Sequence, residues 1–277
     1  MRILFMGTPD FAEESLKALY NAGEEIVGVF TNPDRPQGRG MKMIASPVKT
    51  FALENKLPIY QPEKIRKNEE VLAFIKKGNA NLGAKGFTDH SEAHSGLVAE
   101  RAAEILKKFG YPEKDIELVK IAGFMHDIGN AVNRSHHAEY GALLANDILK
   151  KTELSLEDRV QIVSAIGLHD ESTGGATDPI SAALIIADKT DVRRSRVREK
   201  NKATFDKHDR VNYAVTDTKL KINVEKRVIS LNLKIDPKIC SMYEYFEIFL
   251  GRMMMCKRAA EVLEASFKLT VNGSKVL

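Results

Sequence analysis

Apolar positions change period several times along the chain, and the changes mark its elements. Arg2–Gly7 and Glu25–Thr31 are short continuous apolar runs, and between them Phe11, Leu16, Leu19 and Tyr20 recur at helical spacing. Strand, helix, strand in that order implies a parallel pair joined by a crossover helix. Ser46-Pro47 has the form of an N-cap followed by proline at the first helical position, which predicts a helix to about Asn55. Leu57–Tyr60 reads as a third strand and Asn68–Lys77 as a short helix. From Gly78 to Gly86 small and polar residues replace the pattern, which predicts a linker.

Helical spacing then dominates. Five stripes follow: Leu97, Ala102, Ile105, Leu106 and Phe109; Ile116, Val119, Ala122 and Met125; Ala142, Leu143, Ala145 and Leu149; Val160, Val163 and Ile166; Ile180, Ala183, Leu184 and Ala187. They predict a helical bundle between Ser91 and Ala187. Beyond it Val211–Val215, Lys219–Val224 and Val228–Ile235 alternate as antiparallel strands do, Tyr243–Leu263 reads as a long helix, and Phe267–Val271 as a last strand. The expected protein is mainly α, with an α/β segment over 1–77, a linker over 78–86, a helical domain over 87–200 and an α+β subdomain over 201–277.

Composition mostly excludes. A chain of 277 residues has room for two domains, and a net charge of +4 announces no nucleic-acid binder, so any basic patch is local. Cys240 and Cys256 are too few for a disulfide framework or thiolate zinc cluster and read as buried thiols. The longest apolar run, Ala182–Ala187, is far short of the roughly 20 residues that span a bilayer. Met1 leads directly into a strand-like run with no charged leader. The expectation is a soluble cytoplasmic protein with no membrane partner, for which a homo-oligomer stays open.

Candidate chemistry lies in the histidines. Of seven, five sit in the bundle at helix ends or beside acidic residues: His94 opens one helical pattern, His126-Asp127 closes the next ahead of Gly129, His136-His137 begin a third, and His169 ends a fourth. Asp188 ends a fifth. Imidazoles with carboxylates and no thiolates suit Fe, Mn, Zn, Ni or Co. Neighbouring helical residues point about 100° apart, so His126 and Asp127 share a cavity only at a helix end or across two metals, where a carboxylate can bridge. Two ions so held activate a water and clamp a phosphoryl oxygen, which is hydrolytic phosphate chemistry. His136 reads as a helix cap. The second His-Asp dipeptide, His208-Asp209, lies in a polar basic stretch and reads as outside the site.

In order and spacing, His94, His126-Asp127, His137, His169 and Asp188 resemble the HD superfamily of metal-dependent phosphohydrolases over roughly Thr88 to Val197. The phrases His94-Ser-Gly-Leu-Val98-Ala99 and His137-Ala-Glu-Tyr-Gly141 are similar to the family's corresponding helices. The resemblance implies a helical core in which His94, His126, Asp127 and Asp188 hold one divalent metal, with a second ion between Asp127, His137 and His169. It implies a nucleotide or other phosphorylated small molecule as substrate. Glu171-Ser-Thr-Gly-Gly-Ala stands where the cyclic-dinucleotide branch has Gly-Tyr-Pro, so cyclic di-GMP is not implied. Asp127 and Lys189 are the catalytic candidates. His90, one turn before His94, is an accessory or substrate-binding candidate. Arg193 or Arg194, one turn after Asp188, is expected to pair with substrate phosphate, while Arg196 and Arg198 are expected to be solvated.

The N-terminal segment resembles a different family. Phe5-Met-Gly7-Thr8-Pro9-Asp10-Phe11, Thr31–Gly40 and Ser46-Pro47-Val48-Lys49 are similar to the start of methionyl-tRNA formyltransferases. That implies a Rossmann-like beginning and a weak tRNA contact through the basic loop holding Arg35, Arg39 and Lys42. The resemblance then stops, because the family's Asn-x-His pair occurs nowhere in the chain. A metal-dependent phosphohydrolase is the leading reading. The alternatives are a tRNA- or RNA-associated protein and a catalytically silent metal-bound sensor.

Overall fold

A computed structural model describes residues 2–32, 34–37, 42–60, 65–198, 205 and 207–277. The chain divides into two compact units, 1–68 and 69–277.

In the first unit the order is β1 (Arg2–Met6), α1 (Asp10–Asn21), β2 (Glu25–Phe30), β3 (Arg35–Gln37), β4 (Lys42–Ile44), α2 (Pro47–Glu54) and β5 (Ile59–Tyr60). β1, β2 and β5 form the expected parallel sheet, in the order β1-β2-β5. Leu16 of α1, Val29 of β2 and Val48 and Ala52 of α2 make its core. Ser46 caps α2, its Oγ accepting from the Lys49 amide at 3.1 Å. β3 and β4 pair antiparallel inside the loop read as irregular. Arg39 and the side chains of Arg35 and Lys42, and with them the expected tRNA contact, lie outside the described residues.

The second unit begins with α3 (Glu69–Ala84), which replaces the expected linker: residues 78–84 are its second half. Glycine and asparagine are poor helix formers, and tertiary packing overrides that preference here. Gly78 lies so near the neighbouring turn that a Cβ on it would come 3.0 Å from the Ala131 nitrogen. Asn81 Nδ2 donates to Ala131 O at 3.0 Å. The small and polar residues that looked like a linker are thus a helix seat.

Then come α4 (Glu92–Lys108), α5 (Glu113–Met125), a 3-10 turn over Ile128–Ala131, α6 (His137–Leu149), α7 (Leu156–Gly167) and α8 (Pro179–Lys189). α4 and α5 cross closely at Gly123, where a Cβ would meet Ala99 Cα at 2.7 Å. Val98, Leu106, Val119, Ile166, Leu184 and Ile185 are fully buried in this bundle. Leu143 and Val160, counted in the predicted stripes, are instead 65% and 55% exposed. Ala138, Ala142 and Ala145 of α6 and Ile162 of α7 are buried instead.

A short 3-10 turn over Arg194–Arg196 leads on towards α9 (Lys207–Ala214), β6 (Val215–Asn223), β7 (Val228–Ile235), α10 (Met242–Val262), β8 (Ser266–Val271) and β9 (Ser274–Lys275). Val211–Val215, expected as a strand, is mostly α9: Val211 and Ala214 are buried three apart, a helical interval that short alternation mimics. β6 and β7 are antiparallel, whereas β7 and β8, joined through α10, run parallel. α10 packs on both β8 and α8, so the expected separate subdomain at 201–277 belongs to the same unit as the bundle.

Candidate metal centre

Five helix ends supply the site. His94 lies in the first turn of α4, His126 is the C-cap of α5, Asp127 opens the 3-10 turn, His137 starts α6, His169 follows α7, and Asp188 sits in the last turn of α8. Gly129 permits the convergence: a Cβ there would lie 2.0 Å from His137 O and 2.5 Å from Gly141 N. The first turn of α6 therefore rests directly on the backbone that follows Asp127.

Each imidazole is anchored through Nδ1. His126 Nδ1 meets Gly123 O at 2.8 Å, His137 Nδ1 meets Arg134 O at 3.0 Å, and His169 Nδ1 meets Ile166 O at 2.6 Å. A carbonyl only accepts, so Nδ1 carries a proton and Nε2 is left as the ring position that can bind an ion. His94 Nδ1 donates to Asp191 Oδ2 at 2.7 Å by the same logic. The Nε2 atoms of His94, His126 and His169 are buried without a hydrogen-bond partner among the described residues.

These nitrogens face two carboxylates. Asp127 Oδ2 lies 3.6 Å from His94 Nε2 and 3.1 Å from His126 Nε2, while its Oδ1 lies 3.6 Å from His137 Nε2 and 3.9 Å from His169 Nε2. Asp188 Oδ1 is 3.4 Å from His94 Nε2 and 3.7 Å from His126 Nε2. Metal–ligand bonds of about 2.0–2.2 Å place ligand atoms roughly 3–3.5 Å apart around one ion, close to this spacing. The donor set fits divalent transition metals. By these distances one donor group is His94, His126, Asp127 and Asp188 and the other is Asp127, His137 and His169, with Asp127 shared; His126, His169 and Asp188 form a further close set. Asp170, which the sequence reading did not select, puts Oδ2 3.6 Å from His137 Nε2 and is a further candidate ligand.

Local charge suits this use. Burial pushes His169 down to about 3, helped by His126 and Lys189, so its imidazole stays neutral. Burial also lowers His137, and it holds His90 well below its ordinary value. Burial works to lower His126 too, yet Asp127 and Asp188 outweigh it and raise it to about 10. The carboxylates thus favour positive charge at the point where the two donor groups meet. Burial opposes ionisation of Asp127 and Asp188, but His126 beside the first and Lys189 beside the second keep both well below the usual carboxylate range.

Asp127, His137 and Asp188 line a cavity of about 70 Å³. Lys189 lines it, buried, with Nζ 2.9 Å from Asp188 Oδ2 and 2.7 Å from Glu171 Oε2. Burial lowers its pKa, but the two carboxylates more than compensate, so it stays a cation rather than a base. His90 also lines the cavity, its Nδ1 on Thr88 O at 2.7 Å and its ring centroid 5.5 Å from that of His94.

Several placements differ from the sequence reading. Arg193 does not line the cavity; its guanidinium forks onto Asp191, Nη2 to Oδ2 at 3.0 Å, and so buttresses His94 from behind. Arg194 turns away as well, its Nε donating to Tyr213 O and its guanidinium stacked 4.5 Å from the Tyr213 ring centroid. Arg196, expected to be solvated, is buried on the cavity wall and donates to Asp191 O and Asp89 O. Arg198 is exposed, as expected, and donates to Phe87 O at 3.0 Å. His208 and Asp209, read as outside the site, border the same cavity together with Asn212, because α9 folds back over the bundle's open end. His136 is the exposed N-cap residue of α6, and its side chain makes no capping hydrogen bond. Arg134, Glu171, Asp191 and Arg252 were missed. Only the spacing of Asp191, three residues after Asp188, offered a signal.

Comparison with known proteins finds two different families. Residues 92–195 match the family model of the HD domain. The N-terminal part is similar to methionyl-tRNA formyltransferases: 52% identical over 82 residues to that of Sulfurihydrogenibium sp. (30% of this chain, 26% of that protein) and 58% identical over 69 residues to that of Marinobacter nauticus (25% and 22%). The chain thus spans about a quarter of the length of these curated relatives. A crystal structure of a predicted HD superfamily hydrolase from an uncultured Thermotogales bacterium aligns with 46% of this chain and 68% of its own, at 22% identity and a TM-score of 0.36.

Proposed function

With residues 92–195 an HD domain, we propose that the chain is a metal-dependent phosphohydrolase that cleaves a phosphate ester or nucleotide with two divalent ions. The observation that carries this reading is Asp127, whose two oxygens face separate pairs of imidazole nitrogens. Bound ions would supply Lewis-acid polarisation of a phosphoryl oxygen and acidify an attacking water. His94, His126, Asp127 and Asp188 would hold one, and Asp127, His137 and His169 the other.

The protein's own contribution is rigidity and charge balance. The Nδ1 anchors fix each ring's tautomer and direction before any ion arrives, the usual role of groups behind metal ligands. Lys189, itself held by Glu171, keeps Asp188 ionised and turned towards His94 and His126. Asn130 Nδ2 donates to Asp127 Oδ1 at 2.8 Å and fixes the shared carboxylate. An ester would sit in the cavity that Asp127, His137 and Asp188 line.

Metal analysis of the purified chain, followed by phosphate release from a nucleotide panel with Mn or Fe added, tests the reading. Near-stoichiometric metal with turnover is the expected result. Metal without turnover on any ester would favour a sensor, and no metal at all would end the proposal.

A further inference from the structure

Four cationic side chains of Arg and Lys line the cavity, and three of them are spoken for. Lys189 sits between Asp188 and Glu171, Arg252 Nε is 3.0 Å from Glu171 Oε1, and Arg196 Nη1 lies 3.7 Å from Asp191 Oδ2 and donates to the Asp191 carbonyl at 2.9 Å. Arg134 has no carboxylate partner among the described residues. Its Nη1 donates to Asn130 Oδ1 at 3.3 Å, and its guanidinium lies 5.8 Å from the Phe87 ring centroid.

Two contacts tie this cation to the metal ligands. The Arg134 carbonyl accepts from His137 Nδ1 at 3.0 Å, so the residue's backbone orients a ligand. Asn130 connects its side chain to Asp127: the Asn130 Nδ2 that donates to Asp127 Oδ1 at 2.8 Å turns the amide oxygen towards Arg134. The guanidinium is thus two hydrogen bonds from the shared carboxylate. A guanidinium has five N–H donors, and a single neutral oxygen uses only part of that fork. A half-buried cation kept beside a cation-binding centre without a compensating acid suits an anion supplied from outside.

We propose that Arg134 grips a non-bridging phosphoryl oxygen of the substrate, and so selects phosphate anions in the role first expected of Arg193 or Arg194. The inference rests on the phosphohydrolase reading. It assigns the phosphate contact to the loop before α6, on the His137 side of the centre.

Inorganic phosphate is the probe. Titrated by calorimetry into the metal-loaded full chain, it binds the wild type, and Arg134→Gln weakens it about ten- to hundredfold, the loss expected for a charge-assisted fork. Metal stoichiometry stays at the wild-type value, because glutamine keeps the backbone carbonyl that holds His137. Arg134→Lys recovers part of the affinity, since an ammonium gives charge without the planar fork. Equal phosphate affinity in Arg134→Gln and wild type overturns the proposal and leaves the hydrolase reading standing. Metal loss in Arg134→Gln overturns it too, by showing that the side chain serves the ligands. Absence of both phosphate binding and ester hydrolysis in the wild type sinks both readings.

Discussion

Asp127 shows how much rests on single atoms at the residue scale. Removing a carboxylate whose oxygens face two nitrogen pairs would leave the two proposed cations uncompensated in a buried place. Asp127→Ala is therefore expected to abolish hydrolysis and sharply lower metal content, and full metal occupancy in that variant would refute the shared-carboxylate geometry. Asp191 tests the layer behind the ligands. It touches no candidate ion position, yet it receives the His94 Nδ1 proton and the Arg193 fork. Burial works against its ionisation, but His94, Arg196 and Arg193 hold it far below the usual carboxylate range. Asp191→Asn is expected to weaken metal binding about ten- to hundredfold without deleting a ligand. Chelator competition measures this, and unchanged affinity would reduce Asp191 to an anchor for Arg193.

Among the elements, the seat of α6 on the turn after Asp127 controls whether the two donor groups form together. Gly129 was legible as a helix stop, but its more exacting role is steric: no side chain fits where its Cβ would meet His137 O at 2.0 Å. Gly129→Ala must push α6, and with it His137, away from Asp127. The expected result is a loss of about 1–3 kcal/mol or more in denaturant unfolding, together with reduced metal stoichiometry. Gly175→Ala is the control, since nothing lies within 4 Å of its Cβ position. Wild-type stability in Gly129→Ala would mean that this close approach is not maintained in solution. α3 belongs to the same scale, because it backs the 3-10 turn through Gly78 and Asn81.

For the whole molecule, the two units make different forecasts. Residues 69–277 contain every candidate ligand and form one compact unit, so that fragment is expected to fold and bind metal with the stoichiometry of the full chain. A chain cut near residue 200 is not. It would lose α10, whose Phe249, Met253 and Cys256 are fully buried and which packs on α8, and Arg252 would no longer reach Glu171. Circular dichroism and metal analysis of both fragments decide the matter; a folded, metal-bearing product of the shorter cut would restore a separable C-terminal subdomain. The formyltransferase-like segment is expected to transfer no formyl group to charged initiator tRNA, because Asn-x-His is missing from the chain. An assay free of contaminating enzyme would detect any such transfer.

Local order along the chain determined the parallel β–α–β beginning, the helices of the bundle and the gathering of His94, His126, Asp127, His137, His169 and Asp188 at helix ends. Helical period and helix-stop residues act over a few positions, so they can be read without knowing what packs where. Tertiary structure alone decided which arginine faces the cavity. Arg193, Arg194, Arg196 and Arg198 are near neighbours with the same charge, yet one braces Asp191, one stacks on Tyr213, one is buried on the wall and one bonds Phe87 O. It also decided that a glycine-rich stretch is the second half of α3, and that α9 and α10 bring His208, Asn212 and Arg252 to the cavity from far along the chain. Direction of a long side chain and closeness of two backbones depend on partners distant in sequence, and no local period records them.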